Sequence, residues 1–255
     1  MKELLDFAVE IASRAGESTL SHFQSDLEIE SKADGSPVTI ADRESEQLAR
    51  SLIEARFPAD GIVGEEFGVD RPEAARRWIL DPIDGTASFI RGVPLYGVLV
   101  ALEEGEDALV GVLHFPALGE TVCAARGEGC WWNGERASVS PVAAVQEALV
   151  LSTEAEEIER RGHGEGWNRL RRAVHQVRTW GDCYGHALVA TGRAEVMLDP
   201  VLAVWDAAAL CPVIEEAGGV FTDWTGCRTH LGGHAIATNA ALASQIRALL
   251  GVEGE

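Results

Sequence analysis

Several short apolar runs in this chain end in carboxylates, and that pattern limits what the chain can fold into. Gly61-Ile62-Val63-Gly64 leads into Glu65 and Glu66, and Trp78-Ile79-Leu80 leads into Asp81. Short apolar runs of this kind read as buried strands, so each acid stands at the end of a strand. The richest segment is Asp81-Pro82-Ile83-Asp84-Gly85-Thr86, a tight turn entering a helix or helical turn. It offers two carboxylates on one rim, a glycine that lets a ligand approach the backbone, and amides at a helix start. Such amides bind anions, whereas paired carboxylates bind a hard cation such as Mg²⁺. Carboxylates beside an anion site make electrostatic sense when metal ions lie between them. The plainer alternative for this segment is a helix N-cap after a β-turn.

Two further acids belong with these. Asp206 follows Trp205 at the start of an apolar helix, and Asp42 lies in Val38-Thr39-Ile40-Ala41-Asp42. These two and Glu66 each have a bland explanation: Asp206 as an N-cap, Glu66 as a solvated charge, Asp42 as a first-turn partner of the helix dipole.

The surrounding pattern predicts an α+β half followed by an α/β half. Leu4, Leu5, Ala8, Val9, Ile11 and Ala12 recur at helical spacing over the first twenty residues. Lys32 to Pro37 is turn chemistry. A second helix opens at Thr39 and Asp42 and runs to about Phe57, with Glu44, Glu46 and Arg50 on its wet face. Strands dominate from Gly97 to Val139, broken by the charged turn Glu103–Asp107, and Asn133-Gly134 marks a hairpin. Val139-Ser140-Pro141 reads as a joint, dividing the chain into residues 1–140 and 141–255. Beyond it come a strand at Leu149–Leu151 and a polar, mostly helical stretch from Glu154 to Val174. Helices follow from Tyr184 to Thr191 and from Ala207 to Ala217.

Composition excludes several classes of function. Lys plus Arg number 21 against 41 Asp plus Glu, a net charge of −20. So acidic a chain is repelled by a phosphate backbone, which argues against nucleic acid as a partner. The longest uncharged run, Thr229 to Ile246, is too polar for lipid. The start, Met1-Lys2-Glu3 with Asp6 and Glu10 beyond, is unlike a signal peptide. A cytoplasmic protein without a membrane partner is the expectation. The five cysteines form no C-x-x-C pair.

Taken together, Gly64-Glu65-Glu66, Asp81-Pro82-Ile83-Asp84-Gly85-Thr86, Asn133-Gly134 before Val139-Ser140, Trp205-Asp206-Ala207-Ala208 and Glu216-Ala217-Gly218-Gly219 resemble the inositol monophosphatase family. These are Mg²⁺-dependent, lithium-sensitive phosphatases. The resemblance implies a layered αβαβα sandwich, an α/β fold in which the first half carries most metal ligands. Residues 141–255 would supply Asp206 and the substrate specificity. It implies one Mg²⁺ on Glu65, Asp81 and the carbonyl of Ile83, and a second on Asp81, Asp84 and Asp206. A weaker third would rest on Glu65 and waters. The amides of Gly85 and Thr86 would grip the phosphate, while Thr86 and Asp42 would orient the attacking water. Family members are commonly homodimers.

Selectivity is expected from Arg178-Thr179-Trp180-Gly181-Asp182-Cys183-Tyr184-Gly185. Asp182 would favour a cationic substrate group, and the aromatics Trp180 and Tyr184 a flat ring or an ammonium ion. Arg178, at the head of the stretch, is a further candidate contact. The hexapeptide from Trp180 to Gly185 resembles the histidinol-phosphate phosphatase branch of the family, and that substrate carries both an amine and an imidazole. Asp199 aligns with an acid that contacts substrate hydroxyls in the inositol enzymes, and could instead hold the amine or the imidazole. His186 departs from the branch, which more often has another aromatic there. An inositol-1-phosphate or broad sugar monophosphatase is the alternative, and a catalytically silent scaffold with the same fold is a third.

Overall fold

The computed structural model describes residues 1–26, 28–32 and 37–252. Helix α1 (Lys2–Leu20) buries Leu5, Ala8, Ile11, Ala12 and Ala15 on one face. The two-residue strands β1 (Glu30–Ser31) and β2 (Pro37–Val38) pair across the turn segment, of which residues 33–36 lie outside the described residues. Helix α2 (Ile40–Arg56) begins at a capping box in which Asp42 accepts from the Thr39 backbone amide.

An eight-stranded sheet follows. Its strands are β3 (Gly61–Gly64), β4 (Gly68–Asp70), β5 (Arg76–Asp84), β6 (Gly97–Glu104), β7 (Asp107–Phe115), β8 (Glu120–Ala125), β9 (Gly129–Trp132) and β10 (Glu135–Arg136). Their spatial order is β10-β9-β8-β7-β6-β5-β3-β4, and β3 with β5 is the one parallel pair. Asn133 and Gly134, at φ 50° and 83°, make the turn between β9 and β10, where positive φ at both central residues matches the twist of the strands. A short helix, α3 (Thr86–Phe89), leaves the end of β5.

The second sheet takes its strands from beyond residue 140: β11 (Leu149–Ser152), β12 (Gln176–Arg178), β13 (Val196–Asp199), β14 (Gly219–Thr222) and β15 (Ala235–Asn239), in the order β12-β11-β13-β15-β14. Helices α4 (Ala155–Ile158), α5 (Gly164–Ala173), α6 (Asp182–Ala190), α7 (Val204–Ala207), α8 (Leu210–Glu216) and α9 (Ala243–Leu250) alternate with them.

Three of the apolar cores stack these parts into five layers, αβαβα, and a fourth, smaller one joins Ala41, Ile83, Phe89 and Tyr96. On one outer face, α1 and α2 pack Phe7, Ile11 and Ile53 against Trp78, Leu80, Val98 and Val100. On the other, Trp167, Leu170 and Ile246 of α5 and α9 cover Val150, Val196 and Ile236. Between the sheets, Ala187, Val189, Leu210 and Ile214 of α6 and α8 meet Ile79, Leu113 and Phe115 on one side and Leu151 and Met197 on the other. The approach is close: a Cβ on Gly111 of β7 would lie 2.2 Å from the Ala209 carbonyl oxygen. No helix among the described residues is long and apolar enough to cross a membrane.

Four local expectations change. Glu46 is not on a wet face; it is fully buried, its carboxylate taken up by the Glu66 amide (2.7 Å) and Arg50 (2.7 Å). Glu103 is not a turn residue but a buried part of β6, held by His230 (2.9 Å) and Arg77 (2.5 Å), the pairing a buried charge requires. The helix expected from Ala207 to Ala217 splits at Ala208 and Ala209, because Pro212 has no N–H for the carbonyl one turn back. The helical stretch from Glu154 breaks at Gly162, whose φ is 89°.

Candidate active site

Strand β5 builds the site through its alternation. Trp78 and Leu80 point toward α1 and α2, and Ile79 points into the middle layer. Period-2 geometry therefore sends Asp81 into the middle layer as well. Asp84, three residues on, would face the opposite way on a regular strand. A β-bulge prevents this: Asp81 pairs with Leu99 and Asp84 with Gly97, so one residue is extra. Pro82, which has no N–H to give to a ladder, sits in that bulge. Asp206, on α7, comes in across the middle layer. One ligand oxygen each from Asp81, Asp84 and Asp206 lies within 4.8 Å of the others.

Electrostatics sets these groups apart. Burial pushes the Asp81 carboxyl well above its ordinary range, and the charges of Glu65, Asp84 and Asp206 push it further. Asp84 is raised by burial and by Asp182 and Asp206, against the Cys183 amide that donates to it at 2.6 Å. Asp206 is raised by burial, although the Ala203 amide donates to it at 2.7 Å. Glu65 follows β3, and its backbone N–H donates a hydrogen bond to the Leu80 carbonyl of β5 (3.3 Å), which brings it beside Asp81; burial raises its carboxyl too. Its carboxylate and that of Glu66 share the ammonium of Lys32. Buried carboxylates that repel one another, offering oxygen alone, are a donor set for hard cations.

Around this cluster, Gly85 adopts φ 81° and heads α3, where a side chain would come within 3.0 Å of the Asp182 carboxylate. The first amides of a helix have no carbonyl one turn back, so Thr86 offers a free N–H there. The Thr86 hydroxyl donates to the Ile83 carbonyl at 3.0 Å. Asp42 is almost fully buried and takes both the amide and hydroxyl of Thr39 on one oxygen; burial, with repulsion from Glu66 and Glu65, lifts its pKa to about 6.

A cavity of about 510 Å³ opens beside the cluster, walled by Thr153, Glu154, Asp182, Asp199, Val201 and Asp206 among others. Asp182 stands in it with φ 53°, an unusual conformation for a residue with a side chain. Burial and the charges of Asp199, Asp206 and Glu154 raise its pKa to about 7. Asp199 is buried and hydrogen-bonded to Thr153 and His186. Three expected residues are not brought here. Arg178 is exposed on β12, donating to its own neighbour's carbonyl at Val177. Trp180 is exposed, and Tyr184 packs edge-on against Phe115, 5.1 Å away.

The sequence reading missed Lys32, Glu46 and Thr153. A signal for Glu46 existed: with Asp42, Ala49 and Ile53 it lies at spacings of four, three and four, on the buried stripe of α2. Lys32 carried none, being one polar residue in a turn.

The chain is similar to proteins of known kind over its whole length. It is 45% identical over 249 residues to a histidinol-phosphatase of Chlorobaculum parvum, covering 97% of this chain and 96% of that one. A histidinol-phosphatase of Mycobacterium tuberculosis is 40% identical, with 95% of each chain covered. Among solved structures, an inositol monophosphatase from Zymomonas mobilis superposes with a TM-score of 0.88 at 32% identity, over 98% of both chains. The sequence profile of the inositol monophosphatase family matches residues 1–251, which include every carboxylate of the cluster. By sequence, by fold and by the acids at its strand ends, this chain belongs to the inositol monophosphatase family.

Proposed function

We propose that the chain is a Mg²⁺-dependent phosphomonoesterase that cleaves L-histidinol phosphate to L-histidinol and phosphate. The observation that carries this reading is the adjacency of two acidic sets: the Asp81, Asp84 and Asp206 cluster, and the cavity holding Asp182 and Asp199. Glu65, Asp81, Asp84, Asp206 and the Ile83 carbonyl would hold two to three Mg²⁺ ions. When bound, Mg²⁺ supplies charge stabilisation for the phosphoryl group and acidifies water. The Gly85 and Thr86 amides grip phosphate oxygens. The Thr86 hydroxyl spends its proton on Ile83, which leaves its oxygen to accept from the attacking water, and Asp42 helps to orient that water. Asp182 and Asp199 meet the amine and imidazole with charge-assisted hydrogen bonds. The relatives named histidinol-phosphatases support this choice of substrate. A broad inositol-type monophosphatase is the second reading, favoured by the fold's likeness to the Zymomonas enzyme.

The family resemblance carries further expectations: a cytoplasmic, lithium-sensitive homodimer. Residues 1–140 would form the half with most metal ligands, and residues 141–255 the half with Asp206 and the specificity pocket. Phosphate release from histidinol phosphate, assayed with Mg²⁺ and again after exhaustive chelation, tests the reading. Activity is expected to vanish with the metal and return with it. Turnover that survives chelation contradicts the metal mechanism, and no turnover on any ester would leave a silent scaffold.

The raised carboxyls make stability depend on pH. A carboxyl whose folded pKa lies above its unfolded value binds more protons when folded, so stability falls as pH rises between the two values. Asp42 at about 6 and Asp182 at about 7 place that loss between roughly pH 4 and 7 for the metal-free protein. Mg²⁺ binds the ionised cluster, so it should raise Tm more at pH 8 than at pH 5. At a hundredfold excess over Kd the gain at pH 8 should be roughly 5–10 °C. Calorimetric scans at both pH values check this; an equal shift at both contradicts it.

Glu46 is expected to act on the metal through Glu65. Its carboxylate fixes the Glu66 and Phe67 amides (2.7 and 3.3 Å), and so the turn that presents Glu65. Groups that orient metal ligands are worth about 10–100-fold in metal affinity. Glu46→Gln should therefore raise the Mg²⁺ concentration for half-maximal activity by about tenfold, with kcat largely recovered at saturation. A Mg²⁺ titration that overlays the wild type would assign Glu46 to folding alone.

A further inference from the structure

His186 lies on α6 and is fully buried, with its ring 6.2 Å from that of Phe221. A buried imidazole needs hydrogen-bond partners. Here one ring nitrogen has a partner among the described residues and the other does not: Nε2 is 2.7 Å from Asp199 Oδ2, whereas Nδ1 is buried without one. A carboxylate only accepts, so Nε2 is the donor. The other oxygen of Asp199 accepts from the Thr153 hydroxyl. The Thr153 oxygen in turn accepts from the Asp182 backbone amide at 2.9 Å. One unbroken chain of hydrogen bonds thus runs from the core of the middle layer to the two acids that face the cavity.

We propose that His186 is a specificity-positioning residue: through Asp199 and Thr153 it fixes the two carboxylates that receive the cationic end of the substrate. The inference rests on the histidinol phosphate reading. Asp182 sits at φ 53°, and such a conformation persists only where its surroundings hold it. The bond from its amide to Thr153 is one such hold, and Thr153 is itself oriented by Asp199. With one donor on each oxygen, Asp199 keeps acceptor capacity on both. His186 and Thr153 clamp the carboxylate from either side, so that this capacity has a fixed direction. Without Nε2 only the Thr153 hydroxyl holds the carboxylate, and the match to a substrate amine or imidazole loosens. Asp84 touches the same helix through the Cys183 amide at 2.6 Å, so a disturbance that reached the metal site would lower the rates on all esters together and leave their ratio unchanged.

The test is the ratio of kcat/KM on histidinol phosphate to kcat/KM on glycerol 2-phosphate, measured with the full chain and saturating Mg²⁺. His186→Phe keeps a ring against Phe221 but removes the donor, and the ratio should fall about tenfold, mostly through KM on histidinol phosphate. His186→Gln, whose amide nitrogen reaches the place of Nε2, should restore most of the ratio. Thr153→Val breaks the chain at its other end and should lower the ratio in the same way, which keeps the test alive if His186→Phe fails to fold. A residue that only fills space would make Tm, and not the ratio, track the substitutions. A wild-type preference that survives both His186→Phe and Thr153→Val overturns the inference and leaves the substrate reading standing. Equal ratios for His186→Phe and His186→Gln overturn it also. A wild type with no preference for histidinol phosphate removes the substrate reading, and this inference with it.

Discussion

Asp81→Asn and Asp84→Asn should each abolish turnover while leaving the protein folded. Both acids are drawn to one side of β5 by the bulge at Pro82, and both lie with Asp206 where, among the described residues, three carboxylate oxygens converge. Converting either to an amide removes a charge from the donor set and withdraws charge stabilisation worth several kcal/mol. That corresponds to a loss in kcat of about a thousandfold or more. Stability should move the other way. Burial, and then repulsion among these acids, raises their carboxyls in the metal-free state, so removing one charge should hold or raise the metal-free Tm at pH 8. Steady-state kinetics and a thermal scan on each variant read both effects. A kcat near the wild-type value at saturating Mg²⁺ would sink the account of the metal site.

The second large effect is expected at Asp182. Asp182→Asn keeps the size and tolerates positive φ, since Asn is among the residues that enter the left-handed region most readily. It removes the charge that an amine or imidazolium would meet. Charge-assisted hydrogen bonds contribute about 1.5–3 kcal/mol, so kcat/KM on histidinol phosphate should fall roughly ten- to a hundredfold. Hydrolysis of glycerol phosphate should change far less. Loss of metal or of fold would lower both rates together, which is why the contrast between substrates decides. Equal losses on both would take Asp182 out of the specificity pocket. With Trp180 exposed and Tyr184 packed on Phe115, the proposed preference for a cation would rest on the cavity's carboxylates rather than on an aromatic wall.

Much of the fold was legible because local rules and tertiary packing agree. Strands β3 and β5 were visible as apolar runs ending in acids, and α1 as a helical stripe. The capping box at Thr39 and Asp42 marked the start of α2. The pattern failed where a charged residue is buried with a partner distant in sequence. Glu103 looks like turn chemistry until His230, from the other end of the chain, is seen against it. Glu46 looks solvated until the amides beyond β3 are placed over it. Pro212 was a local signal overlooked, since it marks the break between α7 and α8 on its own. At the site, the convergence of Asp81, Asp84 and Asp206 has a basis in spacing only for the first two; the third arrives through the packing of α7 on the large sheet. Arg178 shows the reverse failure: nearness in sequence to Asp182 suggested a shared pocket, but the chain turns between β12 and α6 and leaves the guanidinium outside.

The most direct measurement of the central claim is kcat/KM on L-histidinol phosphate against kcat/KM on inositol 1-phosphate, with Mg²⁺ and one enzyme preparation. Two carboxylates placed to meet a cationic group predict a preference for histidinol phosphate of at least roughly tenfold, lost when Asp182 becomes Asn. Equal rates on the two esters, or a preference for inositol 1-phosphate, would contradict the account and make the inositol-type reading the correct one.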